Sequence, residues 1–259
     1  MTPGQTVPDR RQLTVRAACG RLMPAAVAVY LLLAGAGLLL TRVYGDGPLI
    51  RNDRAVSQWF LEHRTPSLDQ WSHVGSTLSD TVTAIALTVV LVLGLRLWLG
   101  RWRESVAVLV SILGELFLFV LVTATVHRQR PSIPHLDPAP PTSSFPSGHT
   151  GAAVALYVGT AVIVVSLTRA SVSASTGRRV ATGIVAVLLC LVPVAVGLSR
   201  MYRGMHFLTD VIAGAVAGGL WMAVVMSVVL GSRQVGRRTD DPVLVAPPHD
   251  GSLSEGVAR

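Results

Sequence analysis

Apolar residues along this chain come in long unbroken runs, without the alternation of a half-buried strand. Six windows stand out: Leu22–Leu40, Thr81–Leu99, Ser105–Val126, His149–Leu167, Val180–Leu198 and Val211–Leu230. As a helix, each is long enough to cross a hydrocarbon core of roughly 30 Å. In lipid such segments must be helical, because a helix satisfies its own backbone donors and acceptors. The predicted fold class is therefore all-α, a bundle of six transmembrane helices. The first window is too long for the apolar stretch of a signal peptide and follows an Arg-bearing segment, so it reads as a retained anchor. The expected organisation is a cytoplasmic N-terminal tail over residues 1–21, a six-span domain over 22–230, and a disordered cytoplasmic tail over 231–259, where Pro, Asp and Gly appear without apolar period.

Composition narrows this further. Apolar residues make up 51% of the chain and charged residues only 14%, against roughly 25% charged in an ordinary soluble domain. Too little polar surface exists to cover a water-soluble globule. The net charge is +8 and all 22 basic residues are Arg. Such a balance suits nucleic acid or membrane orientation, and the apolar spans select the membrane. With the N-terminus inside, 14 of the 22 arginines fall on the cytoplasmic side. The positive-inside rule then puts both termini in the cytoplasm of a multi-pass plasma-membrane protein. Outside, Arg42, Arg51, Arg54 and Arg64 are offset by Asp46, Asp53, Glu62, Asp69 and Asp80. Within that outer segment, Val56, Trp59 and Phe60 share one helical face, predicting a short helix on the membrane surface over Asp53–Arg64. Cys19 and Cys190 match neither a zinc pattern nor a disulfide framework. The Arg-only, Ala/Val/Gly-rich composition points to a GC-rich bacterial genome.

Three polar clusters interrupt the apolar chain: His127–Pro131, Pro146–His149 and Ser199–Asp210. The parity of the spans brings all three to the outer side. Their residue types fit phosphate chemistry. Arg130 and Arg200 are planar, permanently charged forks matching phosphate oxygens. Ser147 stands where it can cap the fourth span, and Gly148 lets a helix N-terminus approach an anion. His206 and Asp210 are four apart and share a helical face. A carboxylate there can fix the imidazole tautomer, leaving the other ring nitrogen free to attack. With His149 nearby, one histidine can act as nucleophile and the other as general acid.

These clusters resemble the type 2 phosphatidic acid phosphatase family, whose pattern is K-x6-R-P, P-S-G-H and S-R-x5-H-x3-D. The second motif is complete at Pro146–His149 and the third at Ser199, Arg200, His206 and Asp210. The first retains Arg130–Pro131, but Thr123 occupies the lysine position. The resemblance implies a membrane lipid phosphatase with a haloperoxidase-related helical core. It implies that His206 attacks phosphorus and forms a phosphohistidine, oriented by Asp210. His149 would protonate the leaving oxygen and later activate water. Arg130, Arg200, Ser147 and the Gly148 N–H would hold the phosphoryl oxygens. No metal or other cofactor is expected, since arginines supply the charge stabilisation.

The expected partners are membrane lipids and a phosphorylated lipid substrate, a monoester or pyrophosphate on an apolar anchor, with a polyprenyl carrier favoured by the composition. Arg128 either substitutes for the missing lysine as a phosphate ligand or touches lipid headgroups; otherwise the pocket works with one cation fewer. Tyr202 and Arg203 read as interface anchors, and His127 and His135 as surface histidines. Glu115, mid-span, reads as a carboxyl bonded to a neighbouring helix or as a functional group. Gly35, Gly37, Gly214, Gly218 and Gly219 read as close-packing positions. A lipid-linked phosphotransferase on the same fold and a non-enzymatic lipid or anion transporter are the alternatives. The transporter would place charge deep in several spans, and a haloperoxidase would be soluble.

Overall fold

The computed structural model describes residues 10–45 and 47–231, with side chains from Arg16 onward. Among these residues the chain is helical. Helix α1 spans Arg10–Leu38 and runs into a π-helical turn, Leu39–Val43. Helices α2 (Pro48–Glu62) and α3 (Pro66–Thr77) precede α4 (Thr81–Leu99) and α5 (Arg103–Thr125). After a long connection come α6 (Gly148–Ala153), a π-helical stretch (Val154–Val158) and α7 (Gly159–Ala170), then α8 (Thr176–Tyr202) and α9 (Leu208–Gly231). Six segments are long and apolar enough to cross a membrane: Arg16–Val43, α4, α5, Gly148–Ala170, α8 and α9. The six predicted spans thus coincide with six helices. The described part of the expected N-terminal tail, from Arg10, is helical, while the expected tail beyond Gly231 lies outside the described residues.

Local chemistry sets the boundaries. Pro48 and Pro66 open α2 and α3, where a missing N–H costs nothing. The Asp80 carboxylate caps α4 through Thr83 N at 2.7 Å, and Ser175 Oγ caps α8 through Arg178 N at 3.3 Å. Gly100, at φ 66°, ends α4 in the left-handed conformation that favours glycine.

The interior is built from α1, α5, α9 and the Gly148–Ala170 span. Leu33, Val108, Leu118, Val122, Trp221 and Val225 form its apolar heart. The Trp221 indole donates to the Val110 carbonyl at 3.1 Å and lies over Gly114, where a Cβ would fall 2.2 Å from the ring. Gly214 and Gly218 of α9 face the carbonyls of Ser147 and Gly151, where a Cβ would meet oxygen at 2.3 and 2.4 Å. This close approach docks the start of α6 onto the start of α9. Gly37 also packs closely, against Val126 and Phe145; among the described residues a Cβ on Gly35 meets nothing within 4 Å and one on Gly219 only Val154 at 4.0 Å. The outer faces of α4 and α8 are lined by exposed Val, Leu and Ile side chains, as lipid contact requires.

The surface helix begins before its predicted start: α2 covers Pro48–Glu62, and its buried residues are Ile50, Asp53 and Ser57. Trp59, on the apolar face expected toward the membrane surface, is 53% exposed. A polar face turns inward because Asp53 has a buried arginine to meet. Helix α3, which sequence periodicity did not single out, also packs a polar face inward, on α8.

Candidate active site

The three polar clusters converge where the α5–α6 connection, the start of α6 and the α8–α9 turn meet. Three elements hold the α8–α9 turn. Gly204, at φ 75°, permits the bend and lies against the Pro134 carbonyl. Met205 N bonds to Arg200 O at 3.0 Å, and Ser147 N bonds to Asp210 O at 2.9 Å.

His206 is 4% exposed. Its Nδ1 lies 2.8 Å from the Ser144 carbonyl, so that nitrogen carries the proton and Nε2 has a free lone pair. Asp210 Oδ2 stands 3.8 Å from Nδ1, an electrostatic contact too long for a hydrogen bond. The hydrogen-bond partner of Nδ1 is thus the Ser144 carbonyl, with Asp210 beside it as a charged neighbour. Asp210 bonds instead to Ser144 Oγ at 2.5 Å and Phe207 N at 2.9 Å, and pairs with Arg128. Burial pushes the His206 imidazole below its ordinary value, against the opposing pull of Asp210, keeping it neutral near pH 7.

Arg130 and Arg200 flank this histidine closely enough for their charges to act on it. Arg130 Nη1 donates to the Met205 carbonyl at 2.7 Å. Arg200 Nη1 donates to Ser76 Oγ at 2.7 Å and Asp137 Oδ2 at 3.0 Å. The buried Nε–H of each has no partner among the described residues. Two orphaned guanidinium donors beside a free imidazole nitrogen are donors waiting for an anion. Burial also lowers the Arg130 guanidinium, with Asp210 partly offsetting it. A cleft of about 400 Å³ opens beside it, lined by His127, Gln129, His135 and Thr142 among others.

His149, in the first turn of α6, feels the charges of Arg200 and His206. Its ring makes no hydrogen bond among the described residues, so both nitrogens are available. Ser147 is at the N-cap position, but its hydroxyl makes no cap bond; it pairs with Thr150 Oγ1 at 3.0 Å. Gly148 opens the helix against Phe119, where a Cβ would crowd the ring at 2.8 Å. Among the described residues no group of three His, Cys, Asp or Glu is arranged to hold a metal.

Other expectations change. Arg128, expected as a substitute phosphate cation or a headgroup contact, is buried and paired with Asp53 at 2.7 Å and with Asp210. Both carboxylates hold its fork, so it stands behind the site. Thr123 at the lysine position is buried and donates back to Phe119 O at 2.9 Å. Tyr202 and Arg203, expected at the interface, are buried internal struts. Arg203 meets Asp137 at 2.6 and 2.7 Å, and the Tyr202 hydroxyl donates to Asp69 at 2.7 Å. Burial alone would raise the Asp137 carboxyl, but the bonds from Arg203 and the nearby Arg200 hold it below the usual range. Glu115 has no hydrogen bond from a neighbouring helix among the described residues; its Oε1 packs on Gly151.

Asp53, Ser76, Asp137 and Ser144 were not singled out as site residues. In the sequence Asp53 reads only as a charge offsetting the outer arginines.

Two solved structures share this fold. One is a transmembrane PAP2-type phosphatidylglycerolphosphate phosphatase from Bacillus subtilis, with 23% identity, a TM-score of 0.65, and coverage of 81% of this chain and 96% of that one. The other is LpxE from Aquifex aeolicus, with 20% identity, a TM-score of 0.51, and coverage of 71% and 98%. No curated protein sequence gives a match. The chain matches the PAP2 superfamily over residues 104–234, just over half its length, a segment that holds all three polar clusters, and it belongs to that superfamily.

Proposed function

We propose that this protein is an integral-membrane phosphatase that removes phosphate from a lipid phosphate monoester or pyrophosphate through a phosphohistidine. The observation that carries the reading is the free Nε2 of His206 beside the two unpartnered, buried Nε–H donors of Arg130 and Arg200. His206 Nε2 attacks phosphorus as the bond to the lipid oxygen breaks. The imidazolium of His149 gives that oxygen its proton. His149, now neutral, takes a proton from water; the hydroxide attacks phosphorus, the N–P bond breaks, and inorganic phosphate leaves. Arg130 and Arg200 hold the equatorial oxygens, whose charge they neutralise throughout.

A lipid substrate is supported by the setting, a site at the ends of membrane-spanning helices. A structural neighbour that is a phosphatidylglycerolphosphate phosphatase adds support. The arginine distribution favours an outward-facing site with both termini in the cytoplasm. The test is phosphate release by the purified protein from a panel of phosphatidate, phosphatidylglycerol phosphate and polyprenyl mono- and diphosphates in detergent micelles. Release from at least one lipid, and little from water-soluble sugar phosphates, is expected. Release from none of the lipids would contradict the proposal.

A further inference from the structure

The inward face of α2 brings a carboxylate, Asp53, into the protein beside the start of α9. Asp53 is 0% exposed. Its Oδ2 accepts from Arg128 Nη2 at 2.7 Å and from Thr209 Oγ1 at 2.5 Å, and its Oδ1 accepts from Thr209 N at 3.1 Å. It thereby caps the first turn of α9 from a different helix. The other arm of Arg128 reaches Asp210, which is itself 0% exposed, and Thr209 Oγ1 at 2.7 Å. The guanidinium also lies over the Phe207 ring, 4.5 Å from its centroid. Asp53, Arg128 and Asp210 form a buried triad of two negative charges and one positive.

From this geometry we propose that Asp53 is a positioning residue for the His206 chemistry. Through Arg128 it holds Asp210 in register, and it leaves the triad with one excess negative charge facing the imidazole. The proposal rests on the phosphohistidine reading. When His206 bonds to phosphorus its ring becomes cationic. The charged groups around it are Arg200 from α8, Arg130 from the α5–α6 connection, His149 from α6, and Asp210 from α9. Two of these are permanent cations that oppose a positive ring. Among the described residues Asp210 is the one anion in contact with the ring, and Arg128 alone would neutralise it. Asp53 occupies the second arm of Arg128 and restores the net negative charge. A charge at this range in a buried site is weakly screened.

The charge of Asp53 is thus separable from its shape. Removing negative charge near a histidine lowers the pH at which it protonates. Asp53→Asn should therefore move the acid limb of kcat/KM, where the free enzyme loses its neutral nucleophile, to lower pH. The change should be visible within one pH unit, on one substrate, so that substrate ionisation cancels. It should also lower kcat at least tenfold with KM within about threefold. Asp53→Glu should return the limb to its parental position and recover most of kcat.

A readout without turnover accompanies it. Diethyl pyrocarbonate acylates only neutral imidazole, so the pH midpoint of His206 modification, mapped by mass spectrometry, reports the same titration. That midpoint should also fall in Asp53→Asn, measured on full-length protein that elutes as a single species in detergent. An unmoved midpoint, or activity loss explained wholly by a lower melting temperature, would overturn the proposal. A parent protein that releases no phosphate but still shows the shifted midpoint would defeat the phosphatase reading and leave the role of Asp53 standing.

Discussion

Arg200 and Asp137 are joined at 3.0 Å across the α8 terminus, and the same carboxylate takes two bonds from Arg203. One arm of Arg200 is thus tied down by protein while its Nε–H stays unpartnered. The pairing fixes the fork without quenching it, leaving one edge for a ligand. Asp137→Asn should loosen that fork and leave Arg203 underpaired. Charge-assisted bonds are each worth roughly 1.5–3 kcal/mol, so thermal unfolding in detergent should register a loss of that order. Because the Asp137 carboxyl is held below its usual value, its contribution is complete above the unfolded value of about 3.9. It disappears as pH falls through the folded value. The stability gap between parent and variant should therefore close in acid. A gap that persists there would show that the loss comes from packing and not from charge.

The same arginines predict an inhibitor profile. Vanadate can adopt the five-coordinate shape of the phosphoryl-transfer transition state and should bind between Arg130 and Arg200. It should inhibit, and excess chelator should leave turnover intact. Activity lost to chelator and restored by magnesium would contradict an arginine-based site.

Arg128 and Thr123 bear on how the pocket manages without the family lysine. Since Arg128 is committed to Asp53 and Asp210, Arg128→Ala leaves two buried carboxylates without a cation. Breaking such a pair costs about 3–5 kcal/mol, and melting temperature and activity should fall together. Thr123→Lys should restore neither. Rescue of activity alone by Thr123→Lys would show that Arg128 serves the phosphate directly.

Orientation can be read with an impermeant thiol reagent. Cys19 and Cys190 are both exposed free thiols, so they must first be removed. Single cysteines at the exposed positions Ser132, between α5 and α6, and Ser173, between α7 and α8, then report the two sides. In intact cells Ser132→Cys should be labelled and Ser173→Cys protected. The reverse pattern would invert the topology.

The spans and the two complete motifs were legible in the sequence because each is a local signal. Twenty apolar residues in a row must be a helix in lipid, and His206 and Asp210 fall on one face by spacing alone. What stayed hidden depends on partners distant in the chain. Nothing around Asp53 marks it as buried, because its burial is set by Arg128, 75 residues away. Arg203 resembles an interface arginine until Asp137 folds back onto it. The Ser144 carbonyl that orients His206 is a backbone group, and any residue type could offer one. From its place in the first polar cluster Arg128 reads as either a phosphate ligand or a headgroup contact, and only the positions of two carboxylates reassign it.

A nucleophilic His206 must carry the phosphoryl group during turnover, and that phosphoenzyme can be captured. Enzyme mixed with a ³²P-labelled lipid phosphate and quenched in alkaline denaturant should retain label that is stable in base and lost in acid, as an N–P bond is. Mass spectrometry should locate it on His206. His206→Ala should carry no label and release no phosphate. His149→Ala should slow turnover by roughly 10²–10⁴, less so with a nitrophenyl ester whose leaving group needs no proton. A His206→Ala enzyme with near-parental turnover, or label found on another residue, would contradict the account.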